Sequence, residues 1–184
     1  MEKNEIRSNK AYVFCETVSG KENADTILHT DFDKDRLIFK FCCKEKFFCP
    51  RHKEYNAPLF DGDIVELMLT LGNMKKYLEI EVNQFNAQYC VLIDNETGRN
   101  FDKITKLPVP VIESQVKIDK EYWECVIIIK TEDLIKIGWQ EDNCYGNAHR
   151  QSYTETDELL QYSLSPAYEP NFHIVKAFRK LNCK

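Results

Sequence analysis

Residues 61–94, "DGDIVELMLTLGNMKKYLEIEVNQFNAQYCVLID", alternate apolar and polar side chains. Their polar positions gather Asp63, Glu66, Glu79, Glu81 and Asn83 near Phe60 and Tyr77. Such a set admits four chemistries: acid–base catalysis, cation ligation, hydrogen bonding to a sugar, or plain solvation of a sheet face. Glycoside hydrolysis needs two carboxyls flanking one bond, about 5–5.5 Å apart for retention or about 6.5–9.5 Å for inversion, with one kept protonated by burial. Glu66 with Glu79 or Glu81 reaches such separations across paired strands, as carboxylates do in most sheets. Burial with a raised pKa is the property that would favour catalysis.

Other constellations point less far. Cys43, Cys49 and His52, with Cys42 adjacent, offer soft ligands, but their spacing matches no paired zinc knuckle and no second C-x-x-C completes a site. Cys49, His52, Cys144 and His149 sit in no recognised nucleophile motif. "DFDKD" (31–35) has three Asp at alternate positions, like half a calcium loop; a solvated hairpin turn has the same composition. "SGKEN" lacks the glycine spacing of a phosphate loop, and Met68 and Met74 form no placed haem pair. No metal site and no cofactor are therefore expected.

The elements that must carry these residues read as strands. β character, by alternation and by β-branched or aromatic content, covers 11–16, 26–32, 37–43, 63–69, 76–82, 88–93, 111–118, 122–129 and 159–165. Polar turns separate them, "DKDR", "LFDGD", "LGNMK", "DNETGRN" and "IDKE" among them. One short helix is expected at 131–138, with Thr131 as cap, Glu132 and Asp133 at its positive end and Gly138 ending it. About nine short strands argue for an all-β antiparallel β-sandwich, and the lack of a linker or repeat argues for a single domain over 1–184. Segment 141–175 is polar, aromatic and irregular, and reads as a long functional loop or an extended edge. Trp123 alternates with Cys125 and Ile127 and reads as core. Trp139 is open between a ligand platform and a lid.

A chain of 184 residues with 43% hydrophobic content can bury a real core. Its net charge of −5, with both signs interspersed, shows no footprint for nucleic acid. No apolar run is long enough to cross a bilayer as a helix, so no membrane partner is expected. The first ten residues, "MEKNEIRSNK", hold no signal peptide, which reads as cytoplasmic unless a signal has been removed. Eight cysteines, several inside apolar strands, are expected to be reduced and buried.

The order of motifs resembles family 9 carbohydrate-binding modules and their stand-alone, DOMON-like relatives. The matching stretches are "APLFDGDIVELML" (57–69), "YLEIEVNQFNAQYCVLID" (77–94), "YWECVIIIKTEDL" (122–134), "YGNAHRQS" (145–152) and "EPNFHIVKAF" (169–178). That resemblance implies an immunoglobulin-like sandwich and non-catalytic sugar binding, the sugar held between two aromatic rings. Position by position it implies Phe60 as one ring, Glu66 as the acidic contact, and Glu81 where characterised modules carry a basic residue. The second ring falls close to Leu164, so it is either missing or supplied by Tyr162, Tyr168 or Tyr145.

Sugar recognition also asks for an apolar face and planar hydrogen-bonding groups, which Phe60, Tyr77, Glu66, Glu81, Asn83, Arg99, Asn147 and Arg150 supply. The expected site is Phe60, Glu66, Glu81, Asn83, Arg99, Trp139, Tyr145, Asn147 and Arg150, binding the end of a saccharide. Arg99 is expected to neutralise the two glutamates. The rival readings are a degenerate sandwich serving protein contacts, including a homo-oligomer, and a small glycoside hydrolase.

Overall fold

The structure is a computed structural model describing residues 5–183. The alternating runs form an all-β fold with one short helix, α1 (Thr131–Lys136). One half of the sheet comprises β5 (Ile64–Thr70), β6 (Lys76–Val82), β7 (Gln88–Asp94), β8 (Lys103–Lys106) and β11 (Tyr145–Tyr153). The other comprises β2 (Lys10–Glu16), β3 (Glu22–Phe32), β4 (Arg36–Lys44), β9 (Glu113–Asp119) and β10 (Tyr122–Lys130), with β12 (Leu159–Ser163) joining the halves. The hydrogen-bonded order is β8-β7-β6-β5-β11-β12-β2-β3-β4-β10-β9, antiparallel throughout. At one end β1 (Glu5–Arg7) pairs in parallel with β13 (Arg179–Asn182), which also pairs with the start of β11.

The sheet curls until its halves face each other as in a sandwich. Phe14, Phe39, Phe41 and Trp123 from one half join Leu67, Leu78, Ile80 and Ala148 from the other in one core. Truncating a fully buried residue such as Leu67 to Ala would cost about 2–5 kcal/mol. All eight thiols are free, and Cys43, Cys90, Cys125 and Cys144 are buried. Burial pushes the Cys43 thiol up to about 12, as expected of a small packing residue.

Two local readings need correction and one holds. Thr131 does not cap α1: the cap position is Lys130, which makes no side-chain bond, and the Thr131 N–H donates instead to the Asp35 carbonyl at 2.9 Å. Gly138, at φ +100°, does turn the chain after the helix. The hairpin reading of "DFDKD" is the one that holds: the segment closes the β3–β4 turn, where Asp33 accepts the Asp35 and Arg36 N–H groups at 2.8 and 2.9 Å and pairs with Arg36. Segment 141–175 is no open loop, for it contains β11 and β12.

The outer face of β5, β6, β7 and β11 is not the wet face that alternation suggests. After β12 the chain folds back across it, laying Phe172, Val175 and Phe178 on Met68, Tyr77, Tyr89 and Val91. All seven residues of β5 and all but Lys76 of β6 are consequently buried. Among the described residues no helix is long and apolar enough to cross a membrane.

Candidate functional site

Register brings the glutamates together. Glu66 of β5 lies directly opposite Glu81 of β6, and Glu79, two positions along on the same face, lies opposite Met68. One oxygen from each falls within 4.8 Å of the others. The residues are 3%, 5% and 2% exposed for Glu66, Glu79 and Glu81. None of the ion pairs among the described residues joins them to a lysine or arginine. Burial first, then the Glu79 and Glu81 charges, raises Glu66 well above the usual carboxylate range. Glu81 is raised likewise by burial and by Glu79, against the pull of the Phe60 N–H. Burial takes Glu79 up to about 7, with the Glu81 hydrogen bond pulling back.

Two histidines border this floor without supplying charge. His173 Nδ1 is 2.7 Å from the Tyr77 hydroxyl and 3.8 Å from Glu79 Oε2, and burial lowers it to about 4. His149, opposite Glu66 in the β11–β5 ladder, stacks on Phe172 with ring centroids 4.2 Å apart. Its Nδ1 lies 2.8 Å from Ser163 Oγ, and burial lowers it to about 3. Both rings are neutral at pH 7, so three like charges on this floor would have no compensation.

Above the floor opens a pocket of about 300 Å³, whose walls include Phe60, Phe101, Ile104 and Pro170 to His173. Phe60 and Phe101 are each 48% exposed. Phe60 meets Tyr89 edge-on at 6.1 Å, and Phe101 meets His173 edge-on at 5.0 Å. Gln151 Nε2 holds the Phe60 loop by donating to the carbonyls of Phe60 and Gly62. The covering segment is pinned along its length. Asn147 bonds Ser165 in both directions, Asn171 donates to the Arg99 carbonyl, and Asn95 donates to the His173 carbonyl. Gly146 lets β11 lie close enough to β5 for this, since a Cβ there would come within 2.6 Å of the Met68 carbonyl oxygen.

Of the nine residues expected at the site, Phe60, Glu66 and Glu81 meet in this pocket. The other six lie elsewhere. Asn83 shapes the β6–β7 turn, accepting the Phe85 and Ala87 N–H groups and donating to the His52 carbonyl. Arg99 pairs with Glu169 in a separate cleft and leaves the glutamates unneutralised. Trp139 is core, 5% exposed. Tyr145 packs at the far end of β11, beside Thr70, and Asn147 is spent on Ser165. Arg150 faces the interior, bound to Glu45. Residues 147 and 150 have opposite parity, so a strand cannot present both to one face; reading 141–175 as loop hid that.

The replacement for the second ring was also misplaced. Leu164 is core, Tyr162 lies over Arg150, and Tyr168 is 69% exposed beside Gly20. The second exposed ring at the pocket is Phe101, just after the "DNETGRN" turn. Glu79, Gln151 and His173 were absent from the expected set too. Strand parity with Glu81 marks Glu79, whereas no local signal marks the other two.

No family model matches the sequence, and no curated protein matches it either. Solved structures do match. A candidate carbohydrate-binding protein from Bacteroides uniformis ATCC 8492 superposes with a TM-score of 0.73 at 12% identity, over 97% of this chain and 98% of that one. A family 9 carbohydrate-binding module from Caldicellulosiruptor kristjanssonii in complex with glucose gives 0.62 at 9% identity, over 98% and 96%. A family 9 module from the same organism in complex with cellotriose gives 0.56 at 11%, over 96% and 82%. At these identities the likeness is one of fold. The chain has the fold of family 9 carbohydrate-binding modules.

Proposed function

We propose that this chain binds the end of a saccharide in the pocket between Phe60 and Phe101, without transforming it. The observation that carries the reading is a polar floor sunk beneath two half-exposed rings. The rings offer flat apolar faces to the sugar C–H surface, and Glu66, Glu79, Glu81 and Asn171 offer planar hydrogen-bonding groups to its hydroxyls. The family 9 structures of the same fold hold glucose and cellotriose, so glucose and short β-glucans are the first ligands to try. Calorimetry should show saturable binding weakened at least about tenfold by Phe60→Ala, near 1.4 kcal/mol. No heat from mono- and oligosaccharides at millimolar concentration would remove the reading.

Glycoside hydrolysis is the second reading, because the glutamates combine burial with raised pKa values. Geometry weighs against it. All three rise side by side from one sheet face, whereas hydrolysis needs carboxyls on either side of the scissile bond. Release of nitrophenol from aryl glycosides, lost in Glu66→Gln, would establish the enzyme reading instead.

A further inference from the structure

We infer that this pocket chooses its saccharide by charge, with Glu66, Glu79 and Glu81 as the specificity-determining residues. It takes an uncharged sugar end and refuses one that bears a carboxylate, sulfate or phosphate. The inference rests on the saccharide reading and adds the class of sugar. Ladder register fixes Glu66 opposite Glu81, with Glu79 two positions along the same face, so the three carboxyl groups stay together under whatever enters. At about 300 Å³ the pocket is at the small end of the range for ligand sites. A charged group anywhere on the terminal ring would therefore lie close to that floor.

An anion would find no counter-charge there. Among the described residues no lysine or arginine lines the pocket, and His173, which does, is neutral at pH 7. The nearby cations are engaged elsewhere. Arg99 pairs with Glu169 and Arg150 with Glu45, while Lys106 lies 5.8 Å over the Tyr89 ring and donates to the Asn56 carbonyl at 2.8 Å. Gln151, in the wall, turns its Nε2 to the carbonyls of Phe60 and Gly62. An anionic sugar would thus lose water and meet carboxylate charge or, with the glutamates protonated, no positive charge at all. Hydroxyls carry no such penalty, for Glu79 Oε2 and Glu81 Oε2 are acceptors without a partner.

The test is calorimetry on the full chain at pH 7, with glucose against glucuronic acid and glucose 6-sulfate, and galactose against galacturonic acid. Each acidic sugar should bind at least about tenfold more weakly than its neutral parent, because like charges meet without a counter-ion. Glu79→Gln and Glu81→Gln should each narrow that gap. An acidic sugar that binds as tightly as its parent overturns the inference and leaves the saccharide reading in place. No heat from any sugar removes the saccharide reading and this inference with it. Should the Gln variants fail to fold, the wild-type ratio at pH 6 and pH 8 decides. The sugar acids stay ionised over that range, and Glu79, at about 7, gains charge across it. His173, at about 4, stays neutral, and the Tyr77 and Tyr89 hydroxyls, raised by burial, stay protonated. The gap should therefore widen as pH rises. A gap that answers neither to the variants nor to pH would take the role from the glutamates and overturn the inference equally.

Discussion

Strand β11 buries two basic side chains in succession, and they face opposite regions with opposite electrostatic solutions. Arg150 turns inward, where its guanidinium meets Glu45 at 2.5 Å, the Lys44 carbonyl at 2.7 Å and Thr26 Oγ1 at 2.8 Å. Ser152 adds a bond to Glu45, and only Arg150 Nε lacks a partner. Burial raises the Glu45 carboxyl while Arg150 draws it back. His149 turns outward and stays neutral beside three glutamates that have no basic partner. Asp63, at the edge of the same sheet, accepts the backbone N–H groups of Cys49 and Tyr153 at 2.6 and 2.7 Å. Carboxylates buried for the fold thus arrive with a guanidinium or several N–H donors; on the pocket floor only the Phe60 N–H, at Glu81, and a bond between Glu79 and Glu81 play that part. That difference separates structural acids from candidate functional ones more sharply than burial alone.

The largest effect is expected on the inward side. Arg150→Met should cost about 3–5 kcal/mol in urea unfolding, because Glu45 is left buried and unpaired. The double variant Arg150→Met with Glu45→Leu should recover most of that loss. A single variant as stable as wild type would mean that the interior pair carries no structural role.

The outward side should respond to acid. His149 titrates at about 3 when folded and near 6.5 when unfolded, so its contribution is fully present above pH 6.5 and is lost as pH falls towards 3. By pH 4 the loss should reach about 3 kcal/mol, read as the stability difference between wild type and His149→Gln across pH. Taking that difference cancels the opposite trend of the raised glutamates. A pH-independent difference would show that the imidazole is not held neutral by burial.

Smaller effects sharpen the floor itself. Phe101→Ala should weaken saccharide binding by about 1.5 kcal/mol while changing stability by less than about 1 kcal/mol, because the ring is half exposed. Equal affinity in the variant would remove Phe101 as the second platform. Glu66→Gln at pH 7 should shift stability by less than about 1 kcal/mol, since an amide replaces a carboxyl whose charged form is disfavoured by burial and by the Glu79 and Glu81 charges. A cost rivalling that of Arg150→Met would make the floor as structural as the interior pair.

Nine of the thirteen strands were legible in the sequence, because period-two alternation with tight turns leaves little other choice there; β1, β8, β11 and β13 were not. The sequence by itself also determined the common face of Glu66, Glu79 and Glu81, which follows from parity once β5 and β6 pair. Phe60 was legible one loop before its strand. What tertiary structure alone decided is the burial of that face. "EPNFHIVKAF" carries no alternation, and its docking on Met68, Tyr77 and Tyr89 rests on contacts nearly 100 residues apart in the chain. The same packing made β11 a strand with buried polar residues on both faces, a pattern that local hydropathy reads as loop. It sent Asn147 to Ser165 and Arg150 to Glu45, and it set Phe101 across the pocket from Phe60. Local alternation settles which side chains share a face; only the chain that folds over the face settles whether water reaches them.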